Sequence, residues 1–531
     1  MDAALVALAS GAQSPHAART AFRDARRAFK HAEAVLATYQ PPFVETVNSA
    51  ESQSLDDDQS AGLKTPRGFQ RIEPMLFEGA AQPDTAALRA EVHAMRLHVA
   101  RVRPAIASLA PSDADILAFA RLELARVSTL GVAGADAMYS RDAIAESAVA
   151  LRGATALVGT MTTPALHVAD ALWHCAARLD ADTGFDTFDR FAFIRDAVNP
   201  AFDSLAAARR DLATPSKMLR KTWPDSVASV YDVAGFDVMS YAPADAPRPS
   251  DTLVARGRAL FFDPALSGTH SRSCASCHIP GRGFTDGLRI AAPLRADGPR
   301  PTRHTPSLVN AALQPAQFAD ERRPTLESQV GEVLANPAEM DAPSGVATSR
   351  EIRTAIASYE RTLTNLRSRF DRALRGGATL TETEQRGFNL FEGKARCGSC
   401  HFAPLFNGTV PPDFTQSPPE VIGVPSARRE TSVDDDLGRG AIDRRAGLAR
   451  AFKTPTVRGA ARGGPYMHNG AFATLDDVLE FYDRGGGAGL GLDVPNQTLD
   501  PRPLHLTRDE KQDLLAFLRA LDPSPTSSLH P

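Results

Sequence analysis

The sequence predicts a mainly α protein, a helical bundle followed by two tandem copies of one small helix-and-loop domain. Three observations lead there: apolar residues at helical spacing through the first 240 positions, a proline-rich break, and a repeated pattern beyond it. In the bundle, Ser14-Pro15 is a cap with proline at the first helical position. Phe22, Ala25, Phe29, Ala32, Leu36 and Tyr39 then recur every three or four residues along one face. Leu88, Val92, Met95, Val99 and Val102 do the same, as does the run from Ile116 to Leu130 after a Ser112 cap. Helices of this kind joined by polar connections bury their apolar faces against one another.

Tyr241-Ala-Pro-Ala-Asp-Ala-Pro-Arg-Pro-Ser250 reads as a linker, because proline after proline excludes both helix and ladder. Past it the pattern repeats. Gly257-x-x-x-Phe261 and Gly387-x-x-x-Phe391 each open a unit on a short helix. Each unit closes on a capped amphipathic helix. The first cap is Thr348-Ser-Arg-Glu351, leading to Ile352, Ile356, Tyr359 and Leu363. The second is Thr507-Arg-Asp-Glu510, leading to Leu514, Leu515, Leu518 and Leu521. The expected domains are 1–240 for the bundle, 241–250 for the linker, 251–378 for the first repeat and 379–531 for the second.

Composition narrows the function classes. The 531 residues are 43% hydrophobic and 23% charged, with net charge −4 and pI about 6.4, which gives no reason to expect nucleic acid as a partner. No apolar run approaches the ~18 residues of a membrane span, so an integral membrane protein is not expected. The first dozen residues resemble the tail of a signal peptide without its basic region; they equally suit an ordinary N-terminus. Any leader is then absent, trimmed or upstream of Met1.

Four of the five cysteines fall in two identical patterns, Cys274-Ala-Ser-Cys277-His278 and Cys397-Gly-Ser-Cys400-His401; Cys175 is left as a buried structural thiol. Cys-x-x-Cys-His suits covalent haem: each thiol adds to one vinyl group, and the histidine is held under the iron. A structural zinc site needs its second pair about 15–20 residues on, whereas these pairs lie 123 apart. A redox dithiol needs a βαβ context that the pattern lacks. The two repeats are therefore read as cytochrome c-like domains carrying two covalent haems c. By spacing alone, Met340 (62 residues after His278) and Met467 (66 after His401) are alternative sixth ligands, which would make both irons closed electron carriers.

About 280 C-terminal residues resemble the bacterial di-haem cytochrome c peroxidase and MauG family. The likeness rests on Leu260-Phe-Phe-Asp-Pro264, Phe284-Thr-Asp-Gly287, Thr305-Pro-Ser-Leu-Val-Asn310 and Asn336-Pro-Ala-Glu-Met340. It continues in Phe452-Lys-Thr-Pro-Thr-Val-Arg458, Pro465-Tyr-Met-His-Asn-Gly470 and Leu475–Gly485. The resemblance implies a peroxidase or peroxide-driven oxidase. His278 would hold the haem where peroxide binds, with Gln329 and Glu339 as distal amide and acid–base. His401 and Tyr482, fourteen residues beyond His468, would hold an electron-transfer haem, with His468 and Arg458 beside it. Without the resemblance, Glu339 is a loop acid and Tyr482 a core aromatic.

Expected partners are hydrogen peroxide and a small electron-donor protein (a cytochrome c or cupredoxin) or a protein substrate, and the expected compartment is the periplasm, where c-type haem is attached. The alternative is a non-catalytic electron-transfer or sensor cytochrome. Three departures bear on the choice. The family's Phe-Trp-Asp-Gly-Arg reads Phe318-Ala-Asp-Glu-Arg322, so no indole lies between the haems. Its Arg-Asn-Thr-Pro reads Arg303-His304-Thr305-Pro306, which leaves an interdomain Ca2+ open. No removable distal histidine stands near Leu294. In the bundle, Thr65–Phe77 resembles the core motif of imelysin-like domains, with Gln70 where these carry histidine, between Gly68 and Glu73. That domain is read as a docking or substrate-recruiting module.

Overall fold

A computed structural model describes residues 1–12, 14–48, 66–78, 84–163, 165–212, 222–428, 431–445 and 447–522. By contact the chain divides into two compact units. One comprises Met1–Arg220, Asp225–Asp232 and Asn389–Ser399; the other comprises Lys221–Pro224, Val233–Phe388 and Cys400–Pro531.

The first unit is a bundle of α1 (Asp2–Ser10), α2 (Pro15–Tyr39), α3 (Pro41–Val47), α4 (Phe69–Phe77), α5 (Thr85–Ala107), α6 (Asp113–Arg126), α7 (Ala143–Val158), α8 (Leu166–Ala181), α9 (Arg190–Phe193) and α10 (Asn199–Asp211). Ser14 accepts from Ala17 N, with Pro15 at the first helical position. Ser112 and Asp115 cap α6 reciprocally, each satisfying a backbone donor of the other. The α2 stripe is buried as its spacing requires: Phe22 and Phe29 meet Phe69, Ile72, Leu88 and Val92 in one cluster. The opening residues join that core, since Leu5 and Leu8 of α1 are fully buried. Cys175 is buried on α8, whereas its neighbour Trp173 is 62% exposed.

The second unit holds α11 (Asp251–Phe261), α12 (Leu326–Ala335), α13 (Ser344–Ala347), α14 (Arg350–Glu360), α15 (Arg369–Leu374), the start of α16 (Glu382–Glu392), α17 (Leu475–Asp483), α18 (Gly486–Gly489) and α19 (Arg508–Ala520). Trp223, placed with the bundle on sequence, belongs to this unit and is fully buried. Long loops with isolated bridges join the helices, and no β-sheet forms among the described residues.

The repeat is visible as a packing device. Gly257 of α11 lies so close to α14 that a Cβ there would meet the Ala355 carbonyl oxygen at 1.9 Å. Gly387 of α16 approaches α19 in the same way, its hypothetical Cβ 2.0 Å from the Asp513 carbonyl oxygen. Each lobe thus needs glycine where its opening helix crosses its closing helix. The second closing helix has the expected capping box between Thr507 and Glu510. The first is capped one residue later than its sequence suggests. Ser349, not Thr348, accepts from Ile352 N, while Glu351 turns back to the Ser349 hydroxyl.

Candidate haem sites

Both Cys-x-x-Cys-His segments form one tight 3-10 turn, Cys274–Ser276 and Cys397–Ser399, and none of the four motif cysteines is in a disulfide. In each, the histidine ring is fixed through Nδ1. His278 Nδ1 lies 2.9 Å from the Phe284 carbonyl oxygen, and His401 Nδ1 lies 3.0 Å from that of Pro455. A carbonyl can only accept, so it selects the tautomer with hydrogen on Nδ1 and leaves the Nε2 lone pair for a metal. Burial lowers both imidazoles, His401 to about 4, so both are neutral at neutral pH as ligation requires. Two cysteines outside any disulfide beside an oriented, neutral imidazole fit a covalent haem in each lobe.

From Thr305-Pro306 and Thr454-Pro455 onward the lobes correspond residue for residue. The bridge Gln317↔Arg323 matches Tyr466↔Phe472. The left-handed residues Phe318 and Glu321 match Met467 and Gly470. The caps Thr325 and Thr474 open α12 and α17. In this register Gln329 corresponds to Val478, and Tyr482, two turns along α17, corresponds to Val333. One lobe has a potential oxygen ligand where the other has an alkyl group.

Around the first site, Gln329 on α12 has a buried Oε1 without a hydrogen-bond partner. Glu339 lies in the turn after α12; Asn336 Nδ2 donates to its Oε1 at 2.8 Å, and burial raises its carboxyl above the ordinary range. Met340 is 2% exposed within the apolar cluster of Phe261, Phe284, Val330 and Leu334. Around the second site, Arg458 is buried and clamps Asp371 with two bonds of 2.8 and 2.7 Å. It also donates to the carbonyl of Pro404, three residues past His401. Met467 stands in the loop before α17.

The segment between the motifs is an ion-pair chain. Arg322 pairs with Asp320 and Glu332, Asp320 with Arg303, and Arg303 with both oxygens of Asp436. His468 stacks on Phe452 at 3.7 Å and pairs with Asp434. Asp434, Asp436 and His468 lie close enough to share a cation. However, Arg303 already supplies a positive charge to Asp436. His304, which stands where the family motif carries asparagine, has Nδ1 directed at the Leu288 carbonyl, and its backbone N–H donates to the His468 carbonyl at 2.7 Å.

In the bundle, Thr65 lies outside the described residues, and the rest of its motif is committed to other bonds. Gln70 donates to Asn48 and to the Asp136 carbonyl, while Glu73 accepts from Ser140 N. Arg26 and Lys30 fill the centre, paired with Glu146, Asp136 and Glu33. The buried acids here are thus compensated by two side-chain cations.

The sequence reading missed the carbonyls that orient the histidines, those of Phe284 and Pro455, although the Thr454-Pro455 pair was a usable signal for the second. The family model described as di-haem cytochrome c peroxidase matches residues 251–350. Methylamine utilization protein MauG of Methylorubrum extorquens is 33% identical over 332 residues, 56% of this chain and 88% of that one. Cytochrome-c peroxidase IdrP1 of a Pseudomonas species is 34% identical over 325 residues, 53% and 83% of the two chains. Among solved structures, the di-haem peroxidase BthA of Burkholderia thailandensis is 27% identical, covering 52% of this chain and 87% of that one, with TM-score 0.43.

Proposed function

Because the chain belongs to the di-haem cytochrome c peroxidase family, with two haems c as its cofactors, we propose that it reduces hydrogen peroxide at the lobe of His278 with electrons passed through the lobe of His401. The observation that carries this reading is Val333 in the place of Tyr482. An alkyl side chain cannot ligate iron, so this position would give the first haem no ligand, whereas Tyr482 would offer a phenolic oxygen to the second.

A haem held by His278 would supply the electrons that split the O–O bond of peroxide. The chain's part is to orient the peroxide and move a proton. Gln329 Oε1 has no partner of its own and accepts from the peroxide hydroxyl. Glu339 takes the proton of the near oxygen and returns it to the leaving one. Asn336 holds one carboxyl oxygen of Glu339 and leaves the other for that transfer. The physiological reductant is then a small electron-donor protein, or an oxidisable protein substrate, in the periplasm.

The test is the optical and EPR spectrum of the oxidised holoprotein, before and after one equivalent of hydrogen peroxide. One high-spin haem whose spectrum changes without prior reduction is the expected result. Two low-spin haems that ignore peroxide, even after half-reduction, would replace this reading with electron transfer through Met340 and Met467.

A further inference from the structure

One piece of the haem region shares its compact unit with the N-terminal bundle: Asn389–Ser399, which runs from the end of α16 into Cys397. The attachment is specific. Phe191 N donates to Asn389 Oδ1 at 3.0 Å, and Asn389 Nδ2 donates to Asp189 Oδ1 at 3.0 Å. Arg396 and Ser399 share a small cleft with Met138, Arg141 and Phe185 of the bundle.

Arg190 on α9 is fully buried, and its donors go to carbonyls rather than to an acid: Val132 at 2.8 Å, Phe188 at 3.1 Å and Phe185 at 2.6 Å. Its Nη1 lies 2.8 Å from where a Cβ on Gly393 would stand. The residue before that glycine is Glu392. Its side chain is 1% exposed, and neither carboxyl oxygen has a hydrogen-bond partner. It lies directly against the haem-attachment turn, since a Cβ on Gly398 would be 2.1 Å from its Oε2. Burying an ionised carboxylate without hydrogen bonds is costly. Burial accordingly pushes Glu392 up to about 8, with Arg190 opposing it. The other titratable groups that feel its charge are Tyr231, bonded to the Ser128 carbonyl, and Cys397.

We propose that Glu392 is a proton site coupled to the electron on the second haem, and that the N-terminal bundle sets it through Arg190. The proposal rests on the reading that Cys397, Cys400 and His401 hold that haem. A ferric haem carries one more positive charge than a ferrous one, so oxidation favours ionised Glu392 and reduction favours its neutral form. On reduction the haem takes one electron from its donor, and a Glu392 oxygen takes one proton from water. On this proposal the bundle supplies the cation that fixes where this exchange titrates.

The experiment is a potentiometric titration of the low-spin haem in the full-length holoprotein between about pH 5.5 and pH 9. A count of covalent haems by mass and by pyridine haemochrome comes first. One proton per electron is a tenfold change in equilibrium per pH unit, so the wild-type midpoint should fall by up to about 59 mV per unit. Glu392→Gln, nearly the same in shape, should make it flat. Arg190→Gln should move the sloping region to higher pH, and Arg190→Lys should leave it near the wild-type position. A flat wild-type curve, or a slope that survives Glu392→Gln, overturns the proposal. A chain carrying a single covalent haem would instead remove the reading beneath it. Should Arg190→Gln fail to fold, Glu392→Gln and Arg190→Lys decide the matter.

Discussion

At the same turn of the same helix the first lobe carries Val333 and the second carries Tyr482. Four residues earlier the contrast reverses, with Gln329 in the first lobe and Val478 in the second. Each helix therefore carries one polar and one alkyl side chain at these two positions, in opposite order. A duplicated scaffold can keep its packing glycines, caps and histidine-orienting carbonyls while exchanging a single pair of positions. On the proposed reading, that exchange is what would separate an open iron from a closed one. The lobes also differ at the residue matching Arg458, which in the first is Val309; the second lobe spends a buried ion pair where the first uses apolar contact.

The strongest way to break the contrast is to give the second lobe the first lobe's residue. Tyr482→Val should convert the low-spin haem fully to a high-spin one that binds cyanide, as followed by EPR and optical titration. A low-spin signal that persists would mean that another group, such as Met467, is the ligand. The next effect is structural. Arg458→Ala strands the buried Asp371 carboxylate and should cost about 3–5 kcal/mol in denaturant melts. Val309→Ala should cost less, since it removes no charge partner; equal costs would show that the two proximal sides are held alike.

Chemistry comes third. Glu339→Gln keeps the shape and removes the proton, so the reaction with peroxide should slow by about 100-fold or more in stopped flow. That corresponds to about 2.7 kcal/mol of barrier. The spectrum of the second haem should not change. An unaltered rate would take Glu339 out of the proton transfer and leave Gln329 alone at the site.

Much of this was legible in the sequence because it rests on local chemistry. Cys-x-x-Cys-His dictates its turn, Thr507 and Glu510 satisfy each other within one turn of helix, and the α2 stripe follows helical spacing. The Thr348 cap was misplaced by one residue because Ser349 is an equally good acceptor, and only the tertiary direction of the chain chooses between them. What no local pattern could reveal is pairing over long distances. Arg190 and Glu392 are some two hundred residues apart, as are Phe191 and Asn389. Likewise nothing near Arg26 announces that its carboxylate will come from Glu146.

The smallest expected effect returns to the two lobes. Glu392 has a counterpart in kind on α14, Glu360, which is 4% exposed with one oxygen unpartnered and whose charge is felt at Cys274. Arg361, its nearest cation, is occupied by two bonds to Glu327, so no bundle residue is needed to explain its state. Burial raises Glu360 from an ordinary carboxyl value to about 8. A carboxyl raised on folding stabilises the protein most below its unfolded value. That contribution is lost as pH climbs from about 4.5 to about 8, because the unfolded chain ionises first. Glu360→Gln cannot ionise and should escape the loss. In thermal melts of the holoprotein, the variant's Tm relative to wild type should therefore rise between pH 5 and pH 8 and then level off. A difference that stays constant over this range would show that Glu360 finds a proton or a partner as readily in the folded lobe as in the unfolded chain. The orphan carboxyl would then be a property of the second haem's surroundings alone.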